Sequence, residues 1–302
     1  CRAEDDRTSL ARKVRVATLL GTIQSTLTNF GYLRKRWVTN TEEERLLGVS
    51  LTGIMDCKLL HSSPQKLSYS AKVPYLEDTL SYLRNVAVTT NKKWAEKLGI
   101  PQSTAITCVK PSGTVSQLVD SASGIHTRHS PYYVRTVRAD NLDPLTKFMK
   151  EHGIPNEPDV TSPDNVTVFS FPIHTSSKSK FRNDLSAIQQ LEVWKIYAEH
   201  WCEHKPSVTI SVKEREWVQV GAWCWDNFDH LSGVSFLPYS DHNYKQAPYQ
   251  EINKEEYTKV MKTMPKKRID WSLLSEFEKE DNTTGAQELA CTAGVCELVD
   301  LT

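Results

Sequence analysis

The feature that most constrains the fold is a helical pattern followed at once by a strand pattern. Six large apolar residues recur every three or four positions, the spacing of one buried helix face. They are Leu185, Ile188, Leu191, Trp194, Tyr197 and Trp201. Directly afterwards, Val208, Ile210 and Val212 alternate with polar residues, as in a half-buried strand. Because strands joined by helix-length crossovers are typical of parallel sheets, the sequence predicts a largely parallel α/β fold, an arrangement that would suit part of a barrel.

The same alternation extends along most of the chain. The predicted helices cover approximately residues 10–30, 76–98, 144–152, 214–228, 254–264 and 271–280, with a capping box at 41–44. The predicted strands cover approximately residues 47–54, 104–110, 166–169 and 234–237. The last 22 residues, from Asp281 onward, show no core-forming period. We therefore expect one folded domain over residues 1–280 and a mobile tail over residues 281–302.

The charge balance argues against one broad class of function. The 37 basic and 37 acidic residues cancel, whereas a protein that binds nucleic acid through a polyelectrolyte surface is expected to be basic. No apolar run approaches the roughly 18 residues that a membrane span needs, and no signal peptide opens the chain. Seven scattered cysteines do not match a secreted disulfide framework, so we expect a cytoplasmic protein.

The first residue is Cys1 rather than methionine. Two explanations stay open: the chain is a fragment, or Cys1 marks the boundary left by protein splicing, because inteins require Cys, Ser or Thr at this position. In either case we expect that the chain is not a whole translation product.

The first candidate site is the segment Lys110-Pro111-Ser112-Gly113-Thr114-Val115-Ser116. Pro111 ends the predicted strand, and Gly113 lets the backbone turn tightly. Successive backbone N–H groups, together with the hydroxyls of Ser112, Thr114 and Ser116, could surround phosphate oxygens. The segment is not a Walker A loop, which needs Gly-x4-Gly-Lys-Ser/Thr. On composition alone, an ordinary turn from strand to helix explains it as well.

A second polar segment contains two histidines and three arginines within thirteen residues. They are His126, Arg128, His129, Arg135 and Arg138. Gly124 and His126 could lie near a charged cofactor or substrate, although a solvated basic surface is the simpler explanation for each residue taken singly.

Metal-ligand residue types occur together at His200, Cys202 and His204. The two histidines would share a face of the predicted helix, while Cys202 would point elsewhere. Since no closed set of four ligands is visible, we predict no metal site.

The most specific local feature is the pair Cys291 and Cys296, separated by four residues that include Gly294. Two thiols at this separation, on a flexible arm, can close a disulfide and can exchange electrons with a buried site and an external reductant. The pattern favours redox work, and two incidental free thiols are the alternative.

Five segments occur in an order that matches a known family. They are residues 42–56, 110–116, 124–126 and 233–239 and the terminal pair Cys291 and Cys296. From about Arg2 to its end, the chain resembles the second half of the class II ribonucleotide reductases, in particular the monomeric type that reduces ribonucleoside triphosphates. As a set these segments are specific, whereas no single one would be.

This resemblance implies a ten-stranded α/β barrel made of two five-stranded parallel halves, of which this chain is the second. It implies adenosylcobalamin as cofactor, whose homolysis generates a thiyl radical on a cysteine of a loop inside the barrel. The radical abstracts a hydrogen from the ribose. A pair of active-site cysteines then supplies two electrons while a carboxylate assists loss of the 2′-hydroxyl as water. A C-terminal dithiol re-reduces that pair and is itself restored by thioredoxin.

Matched position by position, Pro111 to Ser116 correspond to the family's loop for the substrate phosphates, and Cys291 and Cys296 correspond to the shuttle dithiol. The family's radical cysteine lies in an Asn-x-Cys-x-Glu motif, which this sequence does not contain. We therefore expect the N-terminal half of the reductase as a partner, joined covalently or associated, and no ribonucleotide reduction without it. The alternatives are a non-catalytic nucleotide-phosphate-binding module with an interaction tail, and a dithiol electron carrier.

Overall fold

The structure is a computed structural model that describes residues 1–3, 6–61, 76–175, 178–239 and 245–279. The chain divides into two compact units, each assembled from two stretches of sequence. Unit 1 comprises Cys1–Arg128 and Lys178–Tyr239, and unit 2 comprises His129–Ser177 and Ser240–Thr302. None of the helices in the described ranges is both long and apolar enough to cross a membrane.

Helices and strands alternate along the described residues. The α-helices are α1 (Arg7–Gln24), α2 (Lys35–Glu44), α3 (Lys58–His61), α4 (Leu76–Leu98), α5 (Val115–Leu118), α6 (Pro144–Glu151), α7 (Ala187–His200), α8 (Trp217–Asp226) and α9 (Lys254–Met261). The strands are β1 (Val49–Ser50), β2 (Thr107–Cys108), β3 (Tyr132–Asp140), β4 (Asn156–Pro158), β5 (Val166–His174), β6 (Val208–Val212), β7 (Val234–Pro238) and β8 (Tyr249–Glu251). Short 3-10 helices cover Ile54–Asp56, Glu214–Glu216, Phe228–His230 and Trp271–Glu276.

Unit 1 is built around short parallel strands. β1 pairs with β2, and β6 pairs with β7 over five residues. Hydrogen bonds extend these ladders: the Thr52 N–H donates to the Cys1 carbonyl at 2.9 Å, and the Ser207 N–H donates to the Val109 carbonyl at 3.0 Å. Each strand pairing in the described part of unit 1 is parallel. The predicted α/β fold is therefore confirmed, while closure of these strands into half of a barrel stays a prediction.

Helix α7 packs its predicted apolar face into the core of unit 1. Trp194, Tyr197 and Trp201 are fully buried, and burial of each such side chain contributes about 1.5–3 kcal/mol. Their polar atoms are satisfied. The Trp201 indole donates to the Cys108 carbonyl at 2.8 Å, and the Tyr197 hydroxyl donates to the Leu60 carbonyl at 3.0 Å. Because Cys108 is the last residue of β2, α7 fixes the end of the strand from which residues 111–116 emerge.

Unit 2 contains an antiparallel sheet in the order β4-β5-β3-β8. The sequence predicts a strand only over 166–169, but β5 continues through Pro172, which lies opposite Val134 of β3. β4 pairs only with Thr167 to Phe169. Pro172 therefore lies where β5 has a strand on one side only, the position in which a sheet tolerates a missing N–H. Strand β3 itself contains Arg135 and Arg138, which the sequence pattern presents as part of a basic segment rather than a strand.

Three local predictions are wrong. Residues 41–44 do not begin a helix but form the last turn of α2, and the C-cap residue Arg45 that follows is in the left-handed conformation with φ 48°. A four-residue capping pattern cannot show at which end of a helix it lies. Helix α7 ends at His200, so His204 shares no helix face with it. The helix predicted near 271–280 is a 3-10 helix over Trp271–Glu276. The division at residue 280 stays a prediction, because the residues beyond 279 lie outside the described part.

Candidate functional site

Residues 111–116, called here the 111–116 loop, leave the carboxyl end of β2 and lead into α5. Gly113, Thr114 and Val115 are exposed, whereas Ser116 is buried. The backbone N–H groups of Gly113, Thr114 and Val115 donate to no acceptor in the part of the chain that the structure describes. Adjacent N–H groups of this kind are suited to binding an anion such as a phosphate.

Ser112 is held from two sides. Its backbone N–H donates to the Ser123 hydroxyl at 3.1 Å, and its own hydroxyl lies 2.8 Å from that of Thr52. The Ser116 hydroxyl donates to the Ser112 carbonyl, which closes the turn. Of the three hydroxyls that the sequence indicates, Ser112 and Ser116 thus make contacts within the protein, and Thr114 is exposed. The loop offers backbone N–H groups and the Thr114 hydroxyl to a ligand.

A buried ion pair holds the segment that returns from α5. The Arg128 guanidinium, 8% exposed, binds Asp56 through two nitrogens at 3.1 and 3.0 Å. The same carboxylate accepts the Ala122 N–H at 2.7 Å, and Arg128 also donates to the Asp120 carbonyl at 3.1 Å. Charge-assisted hydrogen bonds of this kind are short and directional. They fix residues 120–122, and with them the start of the segment that contains Ser123.

Gly124 and His126 have structural contacts in this segment. Gly124 has φ +51°, and a Cβ there would lie 2.8 Å from the Lys110 carbonyl oxygen. The His126 Nε2 accepts the Thr209 N–H at 3.0 Å, so the ring proton is on Nδ1, which donates to the Ser123 carbonyl at 3.1 Å. Burial lowers the pKa of His126, which favours this neutral form. The imidazole therefore links Ser123 to strand β6.

The predicted loop lies beside residues that follow a neighbouring strand, but the local sequence does not indicate these contacts. Thr52 and Ser112 are 60 residues apart, and Asp56 and Arg128 are 72 apart. One signal was available for Thr52. The predicted strands 47–54 and 104–110 end near Thr52 and the loop, and parallel strands place their carboxyl ends at one edge of a sheet.

The side chains of metal-ligand type near the end of α7 do not converge on one site, because each histidine contacts a different part of unit 1. The His200 Nδ1 lies 3.2 Å from the Ser81 hydroxyl, and the His204 Nε2 lies 2.6 Å from the Leu47 carbonyl. Burial raises the pKa of the Cys202 thiol, which disfavours the thiolate that binds metals. Within the described ranges, no group of three or more His, Cys, Asp or Glu side chains could hold a metal ion.

Comparison with known proteins decides the family, although no family model matches the chain. A probable adenosylcobalamin-dependent ribonucleoside-triphosphate reductase of Dictyostelium discoideum is 31% identical over 216 residues, 69% of this chain and 27% of that protein. The adenosylcobalamin-dependent ribonucleoside-triphosphate reductase of Euglena gracilis is 30% identical over 204 residues, 67% of this chain and 28% of that protein. The enzyme of the same name from Lactobacillus gasseri is 25% identical over 279 residues, 85% of this chain and 37% of that protein.

A solved structure agrees with these relatives. The crystal structure of a B-12 dependent, class II ribonucleotide reductase superimposes with a TM-score of 0.66 at 24% identity, covering 80% of this chain and 36% of that one. This chain belongs to the class II ribonucleotide reductase family. The resemblance that its ordered segments indicate is thereby confirmed.

The chain spans about 27–37% of the length of these curated reductases. The family resemblance assigns it two functional parts, the 111–116 loop and the pair Cys291 and Cys296. The loop lies in unit 1 with the contacts given above, whereas both cysteines lie outside the described residues.

Proposed function

We propose that this chain forms part of an adenosylcobalamin-dependent ribonucleoside-triphosphate reductase, in which the 111–116 loop binds the substrate phosphates. One observation carries the proposal. The loop is fixed at Ser112 from two sides, while three adjacent N–H groups, of Gly113, Thr114 and Val115, have no acceptor in the described part of the chain. Fixed backbone donors can bind phosphate oxygens without a net positive charge on the whole protein, which agrees with the charge balance of the chain.

The radical chemistry belongs to the N-terminal half in this proposal. The Asn-x-Cys-x-Glu motif of the radical cysteine does not occur in this sequence. This chain would therefore hold the substrate by its phosphates, while the ribose reacts against cysteines of the other half. Cys291 and Cys296 would return two electrons per turnover to the active-site cysteine pair, and thioredoxin would reduce them in turn.

Adenosylcobalamin, when bound, supplies the radical that starts this reaction. The cavity lined by Arg15, Val86 and Trp94, between α1 and α4, measures about 260 Å³. Pockets for ordinary small ligands measure roughly 300–1,000 Å³, and a corrinoid is larger than such ligands. This cavity does not fit the cofactor. Adenosylcobalamin would bind in a site shared with the N-terminal half, as the family resemblance implies.

The experiment that tests the proposal combines this chain, joined to or mixed with its N-terminal half, with adenosylcobalamin, a reductant and a ribonucleoside triphosphate. We expect the corresponding deoxyribonucleotide to form, and to form only when both halves are present. A correctly folded pair of halves that makes no deoxyribonucleotide would overturn the proposal. Binding of the triphosphate without turnover in that experiment would favour the alternative of a non-catalytic phosphate-binding module.

A further inference from the structure

We infer that Thr52 is a positioning residue for the loop that binds the substrate phosphates, an inference that rests on the function proposed for the 111–116 loop. Thr52 follows β1, and its backbone is anchored on both sides. Its N–H donates to the Cys1 carbonyl at 2.9 Å, and its carbonyl accepts the Ala3 N–H at 2.8 Å. The residue is 6% exposed. The backbone contacts hold the Thr52 Cα in place, so its side chain is a fixed point beside the loop.

The Thr52 hydroxyl makes three contacts, which is its full capacity of one donated and two accepted hydrogen bonds. It lies 3.0 Å from the Ala122 carbonyl oxygen, which can only accept. It lies 3.1 Å from the Gly124 N–H, which can only donate. The proton of Thr52 is therefore used on Ala122. The third contact, at 2.8 Å to the Ser112 hydroxyl, must then be donated by Ser112.

These directions give Thr52 its effect on the loop. The Ser112 proton points inward to Thr52, and the Ser112 N–H points to Ser123. Both donors of Ser112 are thus committed, so the residue before Gly113 has one orientation. Since the peptide planes that follow are set by this orientation, Thr52 determines where the N–H groups of Gly113 and Thr114 are directed. Thr52 itself contacts no ligand in this account and acts through Ser112.

The test compares two substitutions of Thr52 in the full-length reductase. Thr52→Val keeps the shape of the side chain and removes all three hydrogen bonds, whereas Thr52→Ser keeps the hydroxyl. For Thr52→Val we expect the KM for the ribonucleoside triphosphate to rise on the order of tenfold, with a smaller change in kcat. Ser112 loses the contact that orients the loop, and one net hydrogen bond corresponds to about this factor. Thr52→Ser should restore KM to within about twofold of the parent. An unchanged KM in folded Thr52→Val enzyme would overturn the inference.

A pair of variants at Gly113 separates this inference from the function proposed for the loop. A Cβ at Gly113 meets no atom within 4 Å, so neither Gly113→Ala nor Gly113→Asp clashes at its Cβ, and Gly113 is exposed. The aspartate places a negative charge beside the proposed phosphate site, and we expect it alone of the two to raise KM strongly. If Gly113→Asp leaves KM unchanged, the proposed phosphate function fails. If Gly113→Asp raises KM but Thr52→Val does not, only the role of Thr52 fails.

Ser112→Ala covers the case in which Thr52→Val does not fold. It removes the hydrogen bond between the Ser112 and Thr52 hydroxyls by changing Ser112, and it leaves the hydrogen bonds of Thr52 to Ala122 and Gly124 in place. We expect Ser112→Ala to raise KM in the same direction. Where Thr52→Val does fold, the double variant should raise KM no further than Thr52→Val alone, because both changes act through one contact. Additive effects of the two substitutions would contradict an action of Thr52 through Ser112.

Discussion

At the residue scale, the local sequence indicates which residues form the 111–116 loop but not which distant residues fix its position. Pro111 and Gly113 mark a turn after a strand, and both properties are local. The contacts of Ser112 depend on Thr52, 60 residues earlier, and on Ser123, 11 residues later. The same limit applies to His126. The sequence suggests a ligand contact for it, whereas its two ring nitrogens make hydrogen bonds to Ser123 and Thr209. Thr209 belongs to strand β6, which lies about eighty residues further along the chain, so no local pattern could indicate this contact.

Gly124 is a residue where a single methyl group should have a large effect on stability. Its φ of +51° disfavours any side chain, and the new Cβ would lie 2.8 Å from the Lys110 carbonyl oxygen. We expect Gly124→Ala to lower the free energy of unfolding by about 2 kcal/mol or more, since the left-handed conformation alone costs roughly 1–2 kcal/mol. Urea unfolding followed by tryptophan fluorescence measures this. Gly113→Ala, with open space around its Cβ, is the matched control and should change stability by well under 1 kcal/mol; equal effects of the two would refute the prediction.

At the element scale, the sequence predicts unit 1 better than unit 2. Helices α4, α7 and α8 and strand β6 follow periods of 3.6 and 2 that the apolar residues display directly. Strands β3 and β5 pair over nine residues, yet the sequence predicts only the first part of β5, because Pro172 interrupts its pattern, and Arg135 and Arg138 interrupt the apolar pattern of β3. The two arginines have partners in space, since Arg138 binds Asp159 at 2.7 Å and Arg135 donates to the Pro248 carbonyl at 3.1 Å. Such partners are formed by tertiary structure and leave no local pattern.

Asp159 joins a loop of unit 2 to strand β3. Burial by itself would raise the pKa of Asp159, but hydrogen bonds from Thr161, Arg138 and Ser162 outweigh it and lower the pKa from 3.8 to about 2. Because the folded state holds the proton less tightly than the unfolded state, this carboxylate stabilises the fold above about pH 4 and loses that effect as the pH falls toward 2. We expect Asp159→Asn to lower the free energy of unfolding by about 2 kcal/mol at pH 7.

The difference between Asp159→Asn and the parent should shrink in chemical unfolding curves recorded at progressively lower pH, between about 4 and 2. Asp164→Asn is the control, since the Asp164 side chain is exposed in the same loop region of unit 2. That control should have little effect at any pH. A constant difference for Asp159→Asn across the whole pH range would contradict the prediction.

At the scale of the whole molecule, the family explains why one chain is predicted to carry two separate functional parts. The chain spans about 27–37% of the length of its curated relatives, and its sequence contains a predicted phosphate loop and a predicted dithiol without the radical motif. The ordered segments indicate the family because their order along the chain is specific, whereas no single segment is. The sequence does not predict the antiparallel sheet of unit 2. Its strands pair residues that are far apart in the sequence, and no motif indicates that pairing.

The dithiol prediction belongs to this scale, because it concerns electron delivery between proteins. In the full-length reductase, replacing Cys291 and Cys296 by serine should lower turnover driven by thioredoxin by at least about 100-fold, since serine cannot take part in thiol–disulfide exchange. Turnover supported by dithiothreitol should be largely retained, because a small dithiol reaches the active-site cysteines directly. Cys224→Ser, in α8, is the control and should leave both activities unchanged. Thioredoxin-driven turnover that survives the double replacement would disprove the shuttle role.

The double anchoring of Ser112 has a consequence for the thermodynamics of substrate binding. A loop whose donors are already fixed loses its conformational entropy when the protein folds, not when the ligand arrives. Phosphate binding should then be accompanied by little ordering of the chain. Calorimetry on the parent reductase should show a smaller unfavourable entropy of triphosphate binding than calorimetry on Thr52→Val, in which the same ordering would have to occur during binding.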